Sequence, residues 1–291
     1  MINTTVLMSD ALNFSSEQAI NPYYFDSHTN TDRAQVEHTA IRDAFTKAGI
    51  TVITVPSPTD SQDGVYTANW ALVRGNKAVL ARLPNVRKAE EAYAKRILQE
   101  QGKEVIEVPN DLRFSGQGDA LACGDYLFCG SGYRSDAAAQ AFAAEALGYT
   151  RIQLQTVPQQ DENGTPMINP ISGWEDSFFY DIDLALSILR APTDSEPGLI
   201  AYCPEAFTDE SQRTLAELPR ETFETILISQ EEAREAFAGN LVSTGTSVIM
   251  SAHAPHFQSE LEQRGFTVYT PAIHELVKGG GYIRCTSLTL D

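Results

Sequence analysis

Four cysteines in 291 residues, at positions 123, 129, 203 and 285, are too few and too unevenly spaced for a disulfide framework. The nearest two stand six apart, which fits no CxxC metal knuckle, so free thiols are expected. Long apolar runs are also missing: none approaches the roughly 18 residues that cross a bilayer. The opening stretch, MINTTVLMSDALNF, lacks the basic start and apolar core of a signal peptide. A cytoplasmic protein that does not engage membranes is expected. Positive charge is scarce, with 21 Lys and Arg against 39 Asp and Glu, a net −18. That field repels phosphate backbones, so nucleic acid is not an expected partner, and it favours cationic small molecules. A phosphate-binding glycine loop is absent too, because GSGYRSD at 130–136 has the wrong glycine spacing for a dinucleotide site. The five histidines offer no convincing ligand set, and neither a metal nor a cofactor is expected.

What the chain does contain is a repeat. AFTKAGITVITVP, ILQEQGKEVIEVP, EALGYTRIQLQTVP and ELEQRGFTVYTPA each run from a helical pattern through glycine into a β-branched strand. LPRETFETILIS is a looser fifth copy without the glycine. Glycine ends a helix by taking the left-handed conformation, after which the chain can turn into extended structure. Ahead of four of these helices stand paired strand patterns, such as VYTANWALV with KAVLARL and GDALAC with YLFCGSG. Ahead of the first stands only TTVLM, and the C-terminal YIRCTSLTL is expected as the strand that completes that unit. Five strand-strand-helix-strand units joined at both ends of the chain predict a closed five-bladed α/β propeller, a single domain over residues 1–291. A doubly wound sheet would also alternate strands and helices, but it would ordinarily carry the missing phosphate loop. The longest irregular stretch, 156–176, is expected to cover a site.

The C-terminal KGGGYIRCTSLTL resembles the superfamily of arginine deiminases, dimethylarginine hydrolases, amidinotransferases and arginine dihydrolases, in which a glycine-rich turn presents a nucleophilic cysteine. QDGVYTANWALV, FSGQGDAL with GSGYRSD, and FYDIDLALSIL resemble the same family in the same order. The resemblance implies the α/β propeller known as the pentein fold, a guanidino small molecule as partner, and Cys285 as nucleophile. It also implies contacts to the guanidino group from Asp63, Asn69 and the carboxylate of a His-x-Asp motif, here Asp183. Asp119 is a further binding candidate, and Arg134 resembles an arginine that holds a substrate carboxylate. Cys123, Cys129 and Cys203 sit in apolar strand patterns and are expected in the core.

The chemistry sets its own requirements. Attack on the central carbon of a resonance-stabilised guanidinium needs a thiolate, carboxylates matched to the nitrogen fork, and a proton donor for the departing amine. Two positions depart from the family pattern: Ser115 stands where Glu is usual and Asp181 where the proton-relaying His is usual. Asp181 can relay protons only if burial or a neighbouring anion such as Asp183 raises its pKa. His274 is the best substitute base, while His28 and His38 are expected to be solvated. A hydrolase or amidinotransferase follows from this pattern, with a propeller that has lost catalysis and serves as a binding or scaffold protein as the alternative. A homodimer is compatible with either.

Overall fold

The computed structural model describes residues 2–24 and 28–291. Each of its five sheets has three strands in one repeated arrangement, an antiparallel pair followed by a parallel neighbour reached through a helix. The first sheet begins with β1 (Thr5–Ser9), α1 (Thr31–Lys47) and β2 (Thr51–Val55). The second is β3 (Ala71–Arg74), β4 (Lys77–Leu80), α2 (Ala89–Glu100) and β5 (Glu104–Glu107). The third is β6 (Ala120–Cys123), β7 (Tyr126–Ser131), α3 (Ala137–Leu147) and β8 (Thr150–Gln155). The fourth is β9 (Leu186–Arg190), β10 (Gly198–Tyr202), α4 (Asp209–Ala216) and β11 (Phe223–Leu227), followed by the extra helix α5 (Gln230–Glu235). The fifth is β12 (Val242–Ser243), β13 (Ser247–Ile249), α6 (Pro255–Gln263) and β14 (Thr267–Tyr269). Finally β15 (Leu288–Thr289) returns to pair with β1.

The local chemistry explains the repeat. Gly49, Gly102, Gly148 and Gly265 all take positive φ at the helix-to-strand joints, where a Cβ would be strained. Asn30 caps α1 by accepting from the Arg33 N–H at 3.0 Å, and Ala34, His38, Ile41 and Phe45 line one buried face at helical spacing. β10 is buried along its whole length, whereas β2 alternates toward solvent, so the parallel strand forms the outer edge of its sheet.

The ring closes through both chain ends. β15 meets β1 with Val6 opposite Thr289 and Leu7 opposite Leu288. The Asp291 carboxylate accepts from the backbone N–H groups of Thr4 and Thr5, and Asn3 and Ile2 reach the fifth sheet through Ser243 O at 2.8 Å and Thr244 O at 3.1 Å. Gln117 bonds both backbone groups of Thr289, tying the closing strand to the third sheet.

Three expectations need correction. YIRCTSLTL is mostly not a strand: Thr286 N bonds Tyr282 O at 3.3 Å, Ser287 N bonds Arg284 O at 3.1 Å, and the Thr286 hydroxyl takes Ile283 O at 2.9 Å. These local bonds compete with a ladder and curl residues 283–287 into a turn. His38 is 4% exposed, because α1 turns its face onto the sheet, and burial pulls its pKa down to about 4. His274 is exposed and faces His253 at 5.7 Å, away from the residues described next. Cys123, Cys129 and Cys203 lie in the core as expected. Among the described residues no helix is long and apolar enough to cross a membrane.

Candidate active site

The turn that carries Cys285 follows three glycines, of which Gly279 and Gly281 pack against Tyr66 and Gly280 against Asn21. A Cβ on Gly279 would lie 2.2 Å from the Tyr66 hydroxyl oxygen, and one on Gly281 2.4 Å from the Tyr66 ring and 2.9 Å from the Cys285 Cβ. Gly280 takes φ +80°, and its carbonyl accepts from the Tyr180 hydroxyl at 2.7 Å. Side chains are excluded here so that Tyr66 can lie beside the turn and hold it through Leu276 O. Asn240 then clamps the cysteine, its Oδ1 accepting from Cys285 N at 3.2 Å and its Nδ2 donating to Sγ at 3.2 Å.

Four buried carboxylates surround this point, each at 2% exposure or less: Asp63, Asp119, Asp181 and Asp183. The Cys285 thiol donates to Asp183 Oδ2 at 3.4 Å. Asp181 instead accepts from Asn69 Nδ2 at 2.8 Å and lies 3.8 Å from Arg134, whose guanidinium sits 3.9 Å over the Tyr180 ring. Asp119 Oδ1 accepts from Ile182 N at 3.0 Å, and Asp63 accepts from the Tyr24 hydroxyl at 2.6 Å. Asp119 Oδ2, Asp181 Oδ1, Asp183 Oδ1 and Arg134 Nη2 are buried without a hydrogen-bond partner. Three unsatisfied carboxylate oxygens thus belong to one mutually repelling group beside one unsatisfied donor, surroundings suited to a cation bearing several N–H groups.

Electrostatics agrees with that shape. Burial, then the charges of Asp183 and Asp181, push the Cys285 thiol well above its usual range. Burial and Asp181 likewise raise Asp183 and Asp119 well above the ordinary carboxylate range. Asp63 is raised by burial, with Arg87 and the Tyr24 hydroxyl opposing. Tyr66, Asp63, Asn69, Arg134, Tyr180 and Cys285 line one cavity, with free space of about 10 Å³, close to one water. A neighbouring cleft shares Ile20, Arg134 and Tyr180 and is walled by Ser172, Trp174, Glu175 and Asp176 of the irregular 156–176 stretch.

Two neighbours, Arg87 and Asn240, escaped the sequence reading, and a third, Ser115, was read there only as a departure from the family pattern. Arg87, 1% exposed, binds both oxygens of Glu90 at 2.9 and 2.8 Å and donates to Asn69 Oδ1 at 2.7 Å, fixing the amide orientation of Asn69. The Arg-x-x-Glu spacing in LPNVRKAEE was its one signal in the sequence. Asn240 opens the strand pattern NLVSTG and carried no functional signal. Ser115 supplies a hydroxyl to Asn69 Nδ2 at 2.9 Å, in the corner where the family pattern has a carboxylate.

The model of the eukaryotic N,N-dimethylarginine dimethylhydrolases matches residues 11–167, more than half of the chain. The chain belongs to the dimethylarginine dimethylhydrolase family. Among its relatives, the N(G),N(G)-dimethylarginine dimethylaminohydrolase of Mycobacterium tuberculosis is 29% identical over 95% of this chain and 82% of its own length. The bifunctional arginine dihydrolase/ornithine cyclodeaminase ArgZ of Synechocystis is 27% identical over 97% of this chain, which spans only 37% of that protein. The crystal structure of the ArgZ N-terminal domain bound to product superposes with a TM-score of 0.85 at 27% identity, covering 99% of this chain and 97% of that domain. A dimethylarginine dimethylaminohydrolase from Pseudomonas aeruginosa complexed with citrulline shares the fold at a TM-score of 0.74 and 16% identity. Membership in the dimethylarginine dimethylhydrolase family therefore comes with the pentein fold, and the five sheets described above are its blades.

Proposed function

We propose that the protein is a cysteine-dependent hydrolase of a guanidino amino acid or close analogue, working through a covalent amidino-thioether on Cys285. The observation that carries this reading is the thiol bonded to a buried carboxylate, with further buried carboxylate oxygens beside it left without partners. The relatives' activities on methylated arginine and arginine support the substrate class. A guanidinium entering among Asp63, Asp119, Asp181 and Asp183 supplies the missing N–H groups and positive charge, and a carboxylate on its other end meets the free N–H of Arg134.

Cation binding reverses the thiol's electrostatics and lets its proton pass to Asp183 Oδ2. The sulfur attacks the central carbon and forms the C–S bond. Asp183 returns the proton to the departing nitrogen as the C–N bond breaks, releasing ammonia or an alkylamine. Water then attacks the amidino-thioether carbon and gives its proton to Asp183, and the C–S bond breaks to a urea-type product. Asp183 reprotonates the thiolate. The pattern-based expectation put the relay at Asp181; the hydrogen bond from the thiol favours Asp183, and leaves Asp181 with Asn69 and Arg134 as part of the cation cradle.

A second reading, a binding protein without turnover, is favoured by one observation: among the described residues no histidine lines the cavity. The test is incubation with arginine, methylated arginines and agmatine, reading ureido product and the mass of the intact protein. Hydrolysis predicts product from at least one substrate, an adduct on Cys285 alone, loss of both in Cys285→Ser, and retained binding without turnover in Asp183→Asn. Binding without product or adduct in the unaltered protein selects the second reading.

A further inference from the structure

A second cavity, of about 240 Å³, is walled by Leu72, Leu121, Leu186 and Leu241. Asp183 lines it, whereas Cys285 lines the cavity already described, and the two share no lining residue. The hydrogen bond between Asp183 and Cys285 thus separates them.

Arg284 also lines this second cavity and is 7% exposed. Its guanidinium donates to Gln117 Oε1 at 2.8 Å and Thr289 Oγ1 at 2.9 Å, both neutral acceptors, leaving further N–H groups of its fork unassigned. Among the described residues no carboxylate stands at ion-pair distance from it. The other deeply buried arginines have theirs, Arg87 with Glu90 at 2.8 Å and Arg134 with Asp181 at 3.8 Å. A buried cation without a counter-ion is costly, and burial here lowers the Arg284 pKa, which nearby Asp183 only partly opposes. The Ser187 hydroxyl, 3% exposed, lines the same cavity without a partner.

We propose that this cavity binds a small monocarboxylate with an apolar tail, its carboxylate on Arg284 and Ser187 and its tail on the leucine walls. Asp183 and Asp291 also line the cavity, so Arg284 can balance one added negative charge at most, a phosphate dianion would be repelled, and an inorganic ion would leave the apolar walls wet. The site does not depend on turnover at Cys285.

The test titrates the full chain with 4-methylpentanoate, 4-methylpentanamide and inorganic phosphate, reading ligand-observed NMR and thermal midpoint. The carboxylate is expected to bind at least about tenfold tighter than either competitor, as a charge-assisted bond requires. Arg284→Met should lose that preference. Should that variant fold poorly, Ala122→Trp, which adds bulk at an exposed lining position, should abolish binding with a cooperative thermal transition intact, while Arg134→Met should bind as before. Equal binding of acid and amide, or no binding of the acid by the unaltered protein, overturns the proposal. So does binding that survives both Arg284→Met and Ala122→Trp, and so does binding lost in Arg134→Met but kept in Arg284→Met, which would put the anion beside Cys285 instead.

Discussion

Gly281→Ala adds one methyl group at a crowded point of the turn that presents Cys285. The new Cβ would stand 2.4 and 2.6 Å from two carbons of the Tyr66 ring and 2.9 Å from the Cys285 Cβ. Carbon atoms in contact settle at about 3.5–4.0 Å, so one neighbour must retreat by about 1 Å. Gly281 is not in the left-handed region, and contact alone sets the penalty. Tyr66 cannot absorb it freely: the ring is 3% exposed, its edge meets Phe14, and its hydroxyl holds Leu276 O. Part of the displacement therefore falls on Cys285. Overpacking of this kind costs about 1–3 kcal/mol of stability, and a nucleophile misplaced by about 1 Å loses about 10²-fold in rate. Urea unfolding and turnover, or amidine labelling of Cys285, read the two effects separately. Tyr66→Val removes the obstructing ring, so the double variant should be more stable than the sum of the single changes predicts. A Gly281→Ala protein within about 0.5 kcal/mol of the parent with unchanged labelling, or strict additivity with Tyr66→Val, would refute the packing account of the triple glycine.

Arg87→Met should cost about 3–5 kcal/mol in urea unfolding, because it strands the Glu90 carboxylate at 0% exposure; adding Glu90→Gln should recover most of that. His38, held down to about 4 by burial against an ordinary 6.5, binds its proton more readily in the unfolded chain. Its stabilising contribution is therefore complete above pH 6.5 and is lost as pH falls toward 4, up to about 3 kcal/mol, and His38→Leu should flatten that part of the stability profile. Deleting residues 279–291 should abolish the single cooperative thermal transition of the whole protein, since Leu288 and Thr289 close the first sheet; a retained cooperative transition with only local fraying would argue for an edge strand that is dispensable.

The architecture was readable because its determinants are local. Each glycine joint is a few residues long, and four of the five announced a helix end and an outer strand at the right place. Cys285 was singled out through a likewise local signal, the glycines just ahead of it. The site's connections were not readable, because they join distant points of the chain. Asn69 meets Ser115 46 residues on and Asp181 112 residues on, and Cys285 meets Asp183 across 102 residues. Asn240 and Arg87 act wholly through such contacts, and no periodicity marks an amide that clamps a thiol. The strand expected over 282–290 came from completing the repeat; only Leu288–Thr289 forms it, because the Thr286 and Ser287 hydroxyls take the carbonyls that a longer ladder would need.

Among the described residues the first blade alone has strands that do not follow one another along the chain, since its antiparallel partner comes from the opposite terminus. Geometrically the ring then has no preferred starting point: the other four blades carry the same arrangement with their strands in sequence. A circular permutant that links Asp291 to Ile2 and opens at the turn of Gly245, between β12 and β13, would make the first blade continuous and transfer the splice to the fifth. In that chain Cys285 would no longer belong to a terminal segment, and fraying of the ends would act on a different blade. Comparing its thiol reactivity with that of the parent would separate what Cys285 owes to the fold from what it owes to chain order.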